Sequence, residues 1–79
     1  INQTPLDLGI DISLHSATKY LGGHSDILAG VVAGSEEHIK KIFNKGKNLG
    51  GNISEFMCYL LERSMKTLGV RVEKHNKNA

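Results

Sequence analysis

Seventy-nine residues allow one domain at most, and a chain this short buries only about 60% of its unfolded surface on folding, which makes independent stability marginal. Ten Lys plus Arg against eight Asp plus Glu leave a formal charge of +2, too weak by itself to imply nucleic acid or an anionic membrane as partner. The single cysteine, Cys58, excludes an internal disulfide, and no Cys/His group has zinc-finger spacing. The longest apolar run, Ile27 to Ala33, falls far short of the roughly 20 residues that cross a bilayer. With no signal-peptide pattern at the N-terminus, the expected compartment is reducing and cytoplasmic. The first residue is Ile1 instead of Met, which leads to the expectation that the chain starts inside a longer gene product.

In chain order, Ile10, Ile12 and Leu14 alternate with Asp11, Ser13 and His15, so a strand is expected over Asp11 to His15. Ser16 to Asp26, rich in Gly and small polar residues, reads as an ordered loop. Ile27 to Ala33 reads as a second strand, apolar on both faces and therefore suited to a covered sheet. The period then changes. Ser35 can cap a helix with Glu36 and Glu37 in its first turn and an apolar stripe of Ile39, Ile42 and Phe43, ending near Gly46. A second helix is expected from about Ile53, with Asn52 as cap and Glu55 completing a variant capping box. Its stripe of Ile53, Phe56, Met57, Leu60, Leu61 and Met65 and the neighbouring Cys58 read as core. Gly69 is expected to break the chain before a third, more polar helix over Val70 to Ala79. A strand as apolar as Ile27 to Ala33 needs cover and edge partners that these elements do not obviously supply.

The densest chemical signal is Ser16-Ala17-Thr18-Lys19-Tyr20, just beyond a strand end, followed by Gly22-Gly23-His24-Ser25-Asp26. Loops beyond strand ends carry the chemistry of α/β proteins. The hydroxyls of Ser16 and Thr18 can donate to a phosphate, and Lys19 can pair with that anion or act as a nucleophile. A lysine beside a phosphate-binding loop is what a pyridoxal-phosphate enzyme needs, since the amine must reach an aldehyde whose phosphate is anchored. From the residues alone, an exposed lysine in a polar loop stands beside that reading. His15, His38 and His75 have no recognisable metal spacing, and no metal is expected.

The run from Asp11 through Lys19 to Ser25, with Pro5-Leu6-Asp7-Leu8-Gly9 before it and Asp26-Ile27-Leu28-Ala29-Gly30 after it, resembles the cofactor-attachment segment of the Cys/Met metabolism pyridoxal-phosphate enzymes. That family holds the cystathionine γ-synthases, cystathionine γ- and β-lyases and methionine γ-lyases. A second block, Cys58 to Leu68 with Val70-Arg71-Val72-Glu73-Lys74-His75 behind it, resembles a helical segment farther along the same family. Two positions of that block depart from the usual pattern: Ser64 stands where Gly is usual, and Glu62 where a non-acidic residue is common.

The resemblance implies an α/β fold, with residues 1–79 a part of the large, mostly parallel-sheet cofactor domain of the aspartate-aminotransferase type (fold type I). It implies pyridoxal 5'-phosphate as cofactor, Lys19 as the Schiff-base lysine that also moves protons on the substrate's α and β carbons, and Ser16 and Thr18 as phosphate ligands. A lysine amine can shed its proton and serve as a base, which a guanidinium cannot. His24 and Asp26 read as shaping the loop, with a direct catalytic role as the alternative, and Tyr20 as packing. Ser25-Asp26 after Gly22-Gly23-His24 resembles the cystathionine enzymes more than the sulfhydrylases, so the expected reaction is γ-replacement or β/γ-elimination on cystathionine or activated homoserine. The complete enzyme is expected to be a homo-oligomer, a tetramer, with a small amino-acid substrate and neither nucleic acid nor membrane as partner. The 79 residues alone are expected to be inactive. The competing readings are a small helical binding module working through Lys40, Lys41, Lys45 and Lys47, and an inactive remnant.

Overall fold

The alternation of apolar and polar residues after Gly9 does produce a strand, β1 (Ile12–Ser16), one residue farther along than its pattern suggests. A computed structural model describes all residues, 1–79. Before β1 the chain makes a 3-10 turn, Pro5–Leu8, with proline in its first turn and Gly9 closing it at φ 93°, a left-handed conformation that glycine adopts without a Cβ clash. The second strand, β2 (Gly30–Gly34), pairs antiparallel with β1 in the register Ile12↔Gly34, Leu14↔Val32, Ser16↔Gly30. It is shorter than the apolar run that announced it. Ile27 and Leu28 stay in the preceding loop, where Ile27 is buried and Leu28 lies open. The mostly parallel sheet implied for the complete domain is not formed by these two strands. The connection between them, residues 17–29, holds no crossover helix, so the chain can only return antiparallel.

Helix α1 (Glu36–Leu49) starts as expected, with Ser35 Oγ accepting from the His38 amide at 3.3 Å and Glu36 and Glu37 in the first turn. It does not stop at Gly46. The helix passes through that residue and ends at Gly50, which is left-handed at φ 78°, and the Gly51 amide donates back to the Gly46 carbonyl at 3.0 Å. That six-to-one bond is a Schellman closure, and it requires the glycine four residues later than the first one available. Helix α2 (Glu55–Met65) is capped by Ser54, whose Oγ accepts from the Met57 amide, so Asn52 lies outside the helix. Helix α3 (Leu68–Asn78) begins before Gly69, which sits in its first turn. The break between α2 and α3 falls at Lys66-Thr67.

Little of the apolar surface is covered. Ala17, Gly22, Ile27 and Ser64 are the buried residues, and they meet where the loop after β1 faces the α2–α3 junction. The expected helical stripes are only half realised: Leu60, Leu61 and Met57 are partly covered, whereas Phe56, Phe43, Met65 and Cys58 are exposed. The surface of 6432 Å² compares with about 4,700 Å² for a compact protein of this mass. The radius of gyration of 14.0 Å likewise exceeds the roughly 12 Å of a compact chain of this length.

Candidate active site

The site begins where β1 ends. Ser16 is the last paired residue of the ladder, and the chain then closes into a π-helical turn, Ala17–Leu21, broken in its middle by Lys19, whose backbone (φ −89°, ψ −109°) is not helical. The near end of the turn is fixed by the loop that precedes β2. The Ala29 carbonyl accepts from the amides of Ala17 at 2.9 Å and Thr18 at 3.2 Å. The far end is closed by the amides of Gly22 and Gly23, which donate to the carbonyls of Ala17 and Lys19 at 2.8 and 2.7 Å. Gly22 has no room for a side chain, since a Cβ there would lie 2.8 Å from both the Ala17 carbonyl and the Ile27 side chain.

Lys19 and Ser16 line one open cleft of about 830 Å³, together with Leu14, Tyr20, Val72 and His75. A pair of reciprocal amide bonds at 2.9 Å, between Asn2 and Asn76, lines the cleft and joins the N-terminal segment to α3. The ion pairs of the chain are Glu36 with Lys40, Glu37 with Lys41 and Glu73 with Lys77, so the Lys19 ammonium is uncommitted. A free primary amine beside a free hydroxyl can bond a carbonyl compound and donate to an anion it carries.

The other sequence-predicted residues are distributed differently. Thr18 does not line the cleft. Its hydroxyl accepts from the Ala29 amide at 3.0 Å and donates to the Ala29 carbonyl at a long 3.4 Å, so in this structure it braces the loop. His24 Nδ1 donates to the Gly22 carbonyl at 2.7 Å, a local loop contact, and with Asp26 it lines a second, polar cleft beside Arg63, Lys66 and Thr67. Tyr20 is more exposed than a packing residue, with its ring edge-on to His75 at 5.3 Å. The remaining histidines are engaged separately, His15 with Ser13 and His38 with Ser35. Lys40 and Lys41, two of the four lysines considered for a binding surface, are paired within α1.

One residue was visible in the sequence only as a member of the second helical block. Arg71 donates from Nη1 to the Tyr20 carbonyl at 2.5 Å and from Nη2 to the carbonyls of Leu21 and Ser64 at 3.2 and 2.7 Å. No local pattern announces a contact across 51 residues. Ser64 is buried at that same junction, and Glu62 lies exposed on α2.

The family of Cys/Met metabolism PLP-dependent enzymes matches residues 1–79. The chain is similar to the L-methionine gamma-lyase of Porphyromonas gingivalis, at 54% identity over 95% of this chain and 19% of that protein. It is also similar to the chloroplastic cystathionine gamma-synthase 1 of Arabidopsis thaliana, at 47% identity over 100% of this chain and 14% of that one. Among solved structures, the cystathionine gamma-lyase from Lactobacillus plantarum complexed with L-serine superposes with a TM-score of 0.81 at 45% identity, over 86% of this chain and 18% of that chain. The chain thus spans about a fifth of the length of the methionine gamma-lyase it matches, and its fold is that of a part of these fold type I enzymes. A match along its whole length to one family, at close to half identity with members that include lyases and synthases, means that the chain belongs to the Cys/Met metabolism PLP-dependent enzymes.

Proposed function

We propose that the complete protein is a pyridoxal-phosphate-dependent enzyme of sulfur amino-acid metabolism, of the cystathionine γ-synthase or lyase type, in which Lys19 carries the cofactor. The observation that supports this most is the uncommitted Lys19 amine sharing a cleft with the uncommitted Ser16 hydroxyl, on a turn whose backbone is held at both ends. The residues present fit the group. Ser16 would donate to its phosphate, and Thr18 can add a donor by turning its proton away from the long 3.4 Å bond to Ala29, keeping the Ala29 amide on its lone pair. When bound, pyridoxal phosphate supplies an electron sink for the substrate's α carbon. Lys19 Nζ would hold the aldehyde carbon and, once released, take the α proton and deliver a proton to the neighbouring carbon. The reaction is γ-replacement or β/γ-elimination on cystathionine or activated homoserine. The substrate is a small amino acid, the working form is a homo-oligomer, a tetramer, and the 79 residues by themselves do not turn over.

The 54% identity to a methionine gamma-lyase favours a second reading within the same chemistry, γ-elimination from methionine. Assays of the complete protein with cystathionine and with methionine, reading 2-oxo acid release, separate the two. The attachment itself is tested by borohydride reduction of the complete protein and peptide mapping. A pyridoxyl group on Lys19 is expected, together with a loss of about 100-fold or more in turnover in Lys19→Ala. Reduction that leaves Lys19 unmodified would remove the proposal.

A further inference from the structure

We infer that Arg71 is a positioning residue for Lys19, tying the turn that carries the amine to the junction of α2 and α3. The inference rests on the reading of Lys19 as the cofactor-bearing residue. The Lys19 turn is tied to the β2 side through Ala29, which fixes only Ala17 and Thr18. The carbonyls that follow Lys19, those of Tyr20 and Leu21, are both taken by the Arg71 guanidinium. The same guanidinium reaches back to the Ser64 carbonyl at 2.7 Å and the Thr67 hydroxyl at 3.1 Å, at the junction of α2 and α3. One rigid, planar fork therefore fixes the residues after Lys19 relative to two helices that begin more than thirty positions later. Lys19, with its non-helical backbone, sits between the two anchorages, so the direction of its side chain is set by both.

Gly23 supports the same reading. It is left-handed at φ +75°, and a Cβ built on it would overlap Nη1 of Arg71, so this position accommodates the guanidinium as well as the turn. Arg71 is half-buried and makes no ion pair with a carboxylate. Its hydrogen bonds all go to backbone carbonyls and one hydroxyl, as suits a group that holds chain segments in place. Lysine at this position keeps the charge but carries its donors on one nitrogen, which cannot span Tyr20, Leu21 and Ser64 together.

The experiment uses the complete holoenzyme with Arg71→Lys, and with Gly23→Ala as a second variant that displaces the guanidinium without removing it. Three quantities are read: the extent of borohydride-trapped cofactor on Lys19, the steady-state constants, and the pH at which the cofactor's absorption band titrates. The expected result is trapped cofactor in both variants and a fall in kcat of about 10- to 100-fold, the scale of an ångström-sized misplacement. KM is expected to stay within about twofold, because substrate binding is left intact. The titration is expected to move by about half a pH unit or more, since the amine's surroundings change. A wild-type kcat and titration in Arg71→Lys, with or without a lowered melting temperature, would overturn the inference and leave Arg71 a fold residue only. So would failure of both variants to yield folded protein. Absence of trapped cofactor in the unsubstituted enzyme is a different result, which removes the Lys19 reading itself.

Discussion

Thr18 carries two assignments that a single hydroxyl must reconcile. The family resemblance implies a phosphate ligand, whereas in the structure it accepts from the Ala29 amide at 3.0 Å and so holds the loop before β2 against the Lys19 turn. Thr18→Val keeps the shape and removes the hydroxyl that bonds Ala29. An unsatisfied, partly buried amide costs about 1–3 kcal/mol. The complete protein is therefore expected to lose several degrees in melting temperature, and Thr18→Ser to recover them while the motif is intact. Equal melting temperatures for the three proteins, by calorimetry, would show that the bond to Ala29 contributes nothing. At this scale the motif was legible because Lys19, Ser16 and Thr18 are neighbours in sequence. Arg71 was not, because its role exists only through a contact with carbonyls that any residues at positions 20 and 21 would supply.

At the scale of elements, both strands and the three α-helices were legible as to type and order and misplaced only at their boundaries, whereas the 3-10 turn Pro5–Leu8 went unread and the π-helical turn Ala17–Leu21 was read as loop. Gly46 and Gly50 illustrate the reason. Both are glycines after an apolar stripe, but only Gly50 has the left-handed backbone and the Gly51 amide positioned to close on the Gly46 carbonyl. Composition cannot distinguish a glycine inside a helix from one that ends it. The two are expected to respond with opposite sign. Gly46→Ala, whose Cβ meets only the Gly51 carbonyl at 3.9 Å, should stabilise by up to about 1 kcal/mol. Gly50→Ala should destabilise by about 1–2 kcal/mol through its positive φ. Denaturant titration of the complete protein carrying each variant checks both signs. Ser54 displaced Asn52 as the cap of α2 for a similar reason: both are good capping residues, and the one whose oxygen reaches an amide three residues on wins. The stripes of α1 and α2 were read correctly as apolar faces. Their burial was not predictable, since the surfaces that would cover Phe43 and Phe56 are not among these elements.

At the scale of the molecule, a thin body of 41 × 33 × 16 Å leaves Leu14, Leu28 and Leu49 more than two-thirds exposed. A chain with four buried residues has too little covered surface to offset the conformational entropy of ordering it. Residues 1–79 expressed alone are therefore expected to bind a hydrophobic dye strongly, to melt without a cooperative transition and to give no steady-state turnover. A sharp calorimetric transition in the isolated segment would contradict this.

The bonds from Arg71 to the turn around Lys19 also set an order of events during folding. β1 and β2 are joined through a short connection, and each helix closes within itself, so these parts form over short loops. The Tyr20–Arg71 contact closes a loop of 51 positions and must await both α2 and α3. A refolding chain thus owns its strands and helices before its lysine has a fixed direction. On the proposed role of Lys19, cofactor capture then becomes a late event, and the appearance of the cofactor's colour should lag behind the recovery of helical circular dichroism.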